Sequence, residues 1–239
     1  MRFLLSLLLL LLFPGLAREF WHALSALARR EYWPLGAGFA AGVALEQALL
    51  RRVPGLEVLE HELTHAIAAL LCFRRVTKFR VTLRRGGFVE HRGGFGGRLA
   101  DDFIGLAPYF LPAFSVLLAA VRPLAGPRWF PWFDLALGAT LGFHAWSAVR
   151  ETRENWNKGT VTAAGLRSKT DIGARGYGYA LLYISTATLA IHGLMFRTIA
   201  AGYRGAPLWG RHLWRWLRAD AATVCAQGAR LFEWLRGLL

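Results

Sequence analysis

The sequence predicts a mainly α-helical, polytopic membrane protein of about five to six transmembrane helices, with a small β-hairpin beside one of them. Three observations carry that prediction. Of the 239 residues, 55% are hydrophobic and 18% charged, with a mean hydropathy of +0.33. The apolar residues gather into long runs, and the charges fall between them. One segment, 76–91, departs from this pattern and alternates with period two, as a half-buried strand does.

In chain order, Arg2 followed by the apolar run Phe3 to Phe13 and then Pro14-Gly15 resembles a signal peptide. The absence of a small-x-small cleavage site favours an uncleaved first anchor. Residues 17–33 mix arginine, glutamate and aromatics, as an interfacial segment does. Residues 34–50 are apolar except for Glu46 and Gln47 and predict a span. Arg51-Arg52-Val53-Pro54-Gly55 predicts a turn into a helix over 56–73. Val76 to Leu83 reads as a strand, 84–87 as its turn, and Phe88 to His91 as the returning strand. Spans are then predicted over 103–121, 129–149 and 176–200, with aromatics near their ends. The tail, with Trp209, Trp214, Trp216 and Trp234 among arginines, reads as an amphipathic helix on the membrane surface. The expected organisation is thus an anchor over 1–33, a membrane-embedded core over 34–200 and an interfacial tail over 201–239.

Charge narrows the setting. The net charge of +14 on a soluble chain would suggest nucleic acid, but here the basic residues flank apolar runs, so anionic lipid and topology account for them. Segments 74–102 and 150–175 hold eight and six Lys/Arg, which places both on the cytoplasmic side of a multi-pass protein of the cytoplasmic membrane. The basic tail, one span later, does not fit that count. Two cysteines, Cys72 and Cys225, are too few for a disulfide framework.

The run 56–73 contains His61-Glu62-Leu63-Thr64-His65. On a helix, residues four apart share a face, so His61 and His65 aim at one point. Two imidazoles at that spacing supply two of the three protein ligands of a catalytic zinc, and Glu62 beside them suits a general base. The third ligand must come from elsewhere. Candidates are Asp171, Asp134, His144, His91 and Glu57, with Asp171 first because it lies at the membrane-proximal start of the last span, on the charge-assigned side where 56–73 ends. Glu57, one turn before His61, is expected to orient that imidazole rather than bind metal. Asp134 reads as an interfacial carboxylate, His144 and His192 as hydrogen-bonded core histidines, and Glu46 as a partner for an arginine or part of a water path.

His61-Glu62-Leu63-Thr64-His65 in a membrane helix, followed by the Val76–Val81 strand and Gly86-Gly87-Phe88-Val89, resembles the site-2-protease-like zinc metallopeptidases of membranes. The resemblance implies Zn2+ held by His61, His65 and Asp171, with Glu62 as base, hydrolysing peptide bonds of membrane-anchored proteins. The expected partners are a membrane protein or peptide substrate and the lipid bilayer, with no nucleic acid. Two departures stand out. Asp171 is followed by Ile172-Gly173 rather than directly by glycine, and Gly105-Leu106-Ala107-Pro108-Tyr109 lacks the asparagine common downstream. A non-catalytic membrane protein keeping the motif for structure or partner binding is the alternative. A transporter would need interrupted helices paired between two halves, which the sequence lacks.

Overall fold

The structure is a computed structural model and describes residues 1–28, 32–48, 55–82, 86–157 and 171–236. It is mainly helical, with one two-stranded antiparallel sheet. The helices are α1 (Arg2–Ala28), α2 (Trp33–Ala48), α3 (Gly55–Leu71), α4 (Gly97–Leu106), α5 (Ala113–Val121), α6 (Phe130–Asn157), α7 (Tyr177–Ala201) and α8 (Gly205–Arg236). The strands β1 (Arg75–Thr82) and β2 (Gly86–Arg92) follow α3 directly. Among the expected features, Arg51 to Pro54, Leu83 to Arg85 and most of the polar segment 158–175, up to Thr170, lie outside the described residues.

The expected count of five to six spans is met in part. Among the described residues, two stretches are long and apolar enough to cross a membrane, Arg2–Ala28 and Tyr177–Trp234. A third is added if Gly97–Tyr109 and Ala113–Leu124, which meet at a bend of 88°, form one broken span. Length and charge explain the shortfall. A 16-residue α2 extends only about 24 Å, less than a hydrocarbon core of roughly 30 Å. Helix α3 carries three glutamates and two histidines, and the last third of α6 is charged.

Two elements differ from their sequence reading. The first helix does not stop at Pro14-Gly15 but runs on to Ala28. Proline removes one backbone hydrogen bond, a loss that flanking helices compensate in an apolar setting. Here Gly15 lies against Leu217 of α8. The expected continuous span over 103–121 is instead two helices joined by a tight turn at Ala107–Tyr109. Pro108 and Pro112 bring no N–H to a helical ladder, and the chain turns where they fall. The hairpin matches its reading. Val81 faces Gly87 and Phe79 faces Val89, with one bulge between Val76 and Lys78.

Two buried clusters hold the bundle. One joins α3, α4 and the start of α7 around Ala68, Ile104, Leu106, Phe110 and Ile172. The other joins α1, α2, α6 and α7 around Leu27, Leu35, Leu137, Leu141 and Phe196. Between α2 and α6 the contact is backbone to backbone. Gly38 and Gly42 of α2 press on the carbonyls of Leu135 and Ala139, while Gly138 and Gly142 of α6 press on those of Leu35 and Phe39. Small residues four apart let two helices approach this closely, and α6 is thereby held against α2.

Candidate metal centre

Helix α3 offers His61, Glu62 and His65, and other elements aim the two imidazoles. His65 Nδ1 lies 2.8 Å from the Ile104 carbonyl oxygen. That oxygen is open to it because Pro108, four residues on, has no N–H to return. It takes the Ala107 N–H on one lone pair and His65 on the other. His61 Nδ1 lies 3.0 Å from Oε2 of Glu151, near the end of α6. A carbonyl and a carboxylate only accept hydrogen bonds, so both imidazoles donate from Nδ1.

In the neutral rings neither Nε2 then carries a proton, yet the two Nε2 atoms stand 3.2 Å apart. At that distance either one ring carries a second proton that the other Nε2 accepts, or a metal cation lies between the two lone pairs. Two ring nitrogens bound tetrahedrally to one zinc, each at about 2.0–2.1 Å, would be roughly 3.3 Å apart. The donor set therefore fits a tetrahedral metal ion. Asp171 lies in the turn ahead of α7, fixed by its buried neighbour Ile172. Its Oδ2 is 3.9 Å from His65 Nε2. One ligand atom from each of His61, His65 and Asp171 falls within 4.8 Å of the others, the one such group of three among the described residues.

Glu62 is buried at 7% exposure and shares with these three a cavity of about 390 Å³. Phe88, Val89 and His91 of β2 and Arg175 close its sides. A Cβ on Gly87 would collide with the Glu62 side chain, so only glycine lets β2 press so close to the carboxylate. The arrangement puts a carboxylate beside the His-His-Asp group, with a strand along one wall.

The remaining candidates go elsewhere. Glu57 does not orient His61, and that expectation is corrected. It pairs with Arg150 and accepts the Ser147 hydroxyl at 3.0 Å, while Glu151 takes the place beside the ring. Asp134 is no interfacial carboxylate but half of a buried pair with Arg122, 2.6 Å apart. His144 faces Glu60 at 3.4 Å and His192 bonds the Thr188 carbonyl in its own helix. Glu46 pairs with Arg150 at 2.7 Å. His91 lies on the cavity wall, 3.4 Å from Arg74. Partial burial raises the Cys72 thiol above its usual range against the pull of Arg74, which suits a structural thiol rather than a ligand.

Sequence reasoning missed Glu151, Tyr109 and Arg175. The Tyr109 ring meets His61 edge-on, with centroids 6.3 Å apart, and its hydroxyl accepts from Asn155 at 2.8 Å. Arg175 donates to the Asp171 and Asp101 carbonyls, both at 2.7 Å, and pairs with Asp102. It thereby ties the turn ahead of α7 to α4. Glu151 carried no local signal, being one charge among several at a helix end.

Helical packing, a hairpin against the motif helix and a convergent His-His-Asp group define a class, that of helical proteins with a candidate metal centre. The chain belongs to the Peptidase M50B-like family, whose sequence model matches residues 35–157, more than half of its length. This is a site-2-protease-like assignment, and the family is membrane-embedded. The match includes the His61–His65 motif and Glu151, whereas Asp171 lies beyond it. No curated protein and no solved structure matches the chain.

Replacing Glu151 tests the orienting contact. Outer partners of ligating histidines are worth about 10–100-fold in metal affinity. Glu151→Ala is expected to weaken zinc binding by that factor, with Glu151→Gln between it and the wild type. Competition with a chromogenic chelator measures it, and an unchanged affinity in Glu151→Ala would show that the ring is positioned by other contacts.

Proposed function

We propose that the protein is a zinc-dependent intramembrane endopeptidase of the cytoplasmic membrane, cleaving membrane-anchored proteins or peptides. The observation that carries the reading is the convergence of His61 and His65, with Nε2 atoms 3.2 Å apart, and Asp171 and Glu62 on the same cavity. His61, His65 and Asp171 would hold the ion. Bound zinc supplies Lewis acidity to water and to a carbonyl oxygen.

The chain's own groups do the rest. Glu62 Oε takes the proton of the attacking water and hands it to the leaving amine, the two transfers that amide hydrolysis requires. Glu151 and the Ile104 carbonyl keep both Nδ1 atoms protonated, so that both Nε2 lone pairs stay available. Arg175 holds the turn that carries Asp171. The wall formed by β2 suits an extended substrate backbone, the conformation in which a peptide bond is accessible for attack.

The test is zinc content of the purified, detergent-solubilised chain beside His65→Ala and Asp171→Ala. About one zinc per wild-type chain, falling in both variants, is the result expected for a three-ligand site. No zinc in the wild type under metal-replete conditions would sink the reading. Zinc lost from His65→Ala and kept in Asp171→Ala would move the third ligand away from Asp171.

A further inference from the structure

At the far end of α7 from the candidate metal centre, α1, α7 and α8 enclose a cavity of about 470 Å³. Its lining is His22, Arg197, His212, Arg215, Trp216 and Ala219. No lining residue is acidic, and four of the six carry a guanidinium or an imidazole. Arg197 lies twenty residues beyond Tyr177, or about 30 Å along the helix. The cavity is thus independent of the centre formed by His61, His65 and Asp171.

The nearby carboxylates each bind an arginine through one oxygen, leaving Glu19 Oε2 and Asp220 Oδ2 without a hydrogen bond. Glu19, fully buried, accepts from Arg197 Nε at 2.7 Å, and Asp220 pairs with Arg18. Arg197 Nη2 lies 3.0 Å from His212 Nδ1. A guanidinium only donates, so Nδ1 accepts and the neutral imidazole keeps its proton on Nε2. The 3.5 Å approach of that same Nδ1 to Glu19 Oε2 is therefore no hydrogen bond. Among the described residues no carboxylate pairs with Arg215. Trp216 gives the cavity an aromatic wall, with His22 stacked at 5.3 Å and Arg18 over the ring at 5.4 Å.

A guanidinium with no carboxylate partner, beside a second guanidinium and two imidazoles, suits an anion whose oxygens accept several hydrogen bonds. Arginine forks match phosphate in that way. The volume admits a phosphate together with a small organic substituent. α8 also carries exposed apolar side chains nearby, among them Trp214 and Val224, so the site adjoins a surface suited to lipid. We propose that this cavity binds a phosphate group, presented either by the headgroup of an anionic phospholipid or as the free ion.

Thermal unfolding of the full detergent-solubilised chain tests this, titrated with dioleoyl phosphatidylglycerol, dioleoylglycerol or inorganic phosphate. Arg215 is exposed, so Arg215→Gln leaves the packing intact, and Arg215→Lys keeps the charge. Phosphatidylglycerol is expected to raise the wild-type midpoint. Arg215→Gln should need about five-fold more lipid for the same rise, the usual weight of one basic residue at an anionic headgroup. Arg215→Lys should restore most of the response. Stabilisation by inorganic phosphate equal to that by the lipid assigns the free ion, and stabilisation by the lipid alone assigns the headgroup. The proposal is overturned if dioleoylglycerol stabilises as well as phosphatidylglycerol, if neither phosphate source stabilises, or if Arg215→Gln responds like the wild type. None of these outcomes bears on the zinc content of the distant centre.

Discussion

Glu62→Gln is expected to lower peptide-bond hydrolysis by about 10²–10⁴-fold while leaving close to one zinc per chain. The substitution keeps the shape of the side chain and its place under Gly87. What it removes is the basic oxygen that collects a proton from water. The metal ligands do not depend on that oxygen. His61 and His65 are oriented through Nδ1 by Glu151 and Ile104, and Asp171 sits on another element. Zinc content and hydrolysis of a membrane-reconstituted substrate should therefore separate in this variant. A variant that keeps full activity would remove Glu62 from the chemistry. Loss of zinc together with activity would mean that Glu62 supports the site itself, and the separation of roles would fail. If the wild type shows zinc but cleaves no membrane-anchored substrate, the non-catalytic alternative gains.

Much of this site was legible because its central part is local. A His-Glu-x-x-His spacing needs only a helix to become a face, and residues 56–73 offered no break to stop one. The hairpin was equally local, since period-two alternation and Gly86-Gly87 lie within a few residues of each other. Non-local partners were harder to read. Asp171 was reachable only through charge placement and resemblance. Glu151, ninety positions from His61, had nothing in its neighbourhood to set it apart from Glu154 or Arg153. Glu57 drew the expectation instead because it lies one turn from His61, but Arg150 claims it. Span counting was met only in part, for a related reason. Mean apolarity marks which segments leave water, and it does not distinguish a crossing helix from a short one packed inside the protein. At 103–121 the two prolines were visible, and their consequence was the open Ile104 carbonyl that now fixes His65.

The α2–α6 contact was also written in the sequence, as Gly38-x-x-x-Gly42 and Gly138-x-x-x-Gly142, and it leads to a large expected effect. In Gly42→Val, the new Cβ falls onto the Ala139 carbonyl of α6, backbone that cannot rotate aside. Overpacking a core commonly costs about 1–3 kcal/mol, and a clash with backbone belongs at the upper end or beyond. The helices must part, and α6 carries Arg150 and Glu151. Separation therefore loosens the Arg150 pairs to Glu46 and Glu57, and with them the contact from Glu151 to His61. Gly42→Val is thus expected to lower the thermal midpoint by several degrees and to weaken zinc binding, although position 42 touches no ligand. Gly36→Val is the matched control. It makes the same chemical change on the same helix, where a Cβ meets nothing within 4 Å. Valine has the better helix propensity of the two, so this control should be neutral or stabilising by a few tenths of a kcal/mol. Thermal unfolding and chelator competition on the two variants decide the matter. Equal midpoints and equal zinc affinities would show that the glycine contact does not hold α6 in place. A drop in both for Gly42→Val alone would tie the metal centre to helix packing on the far side of α6.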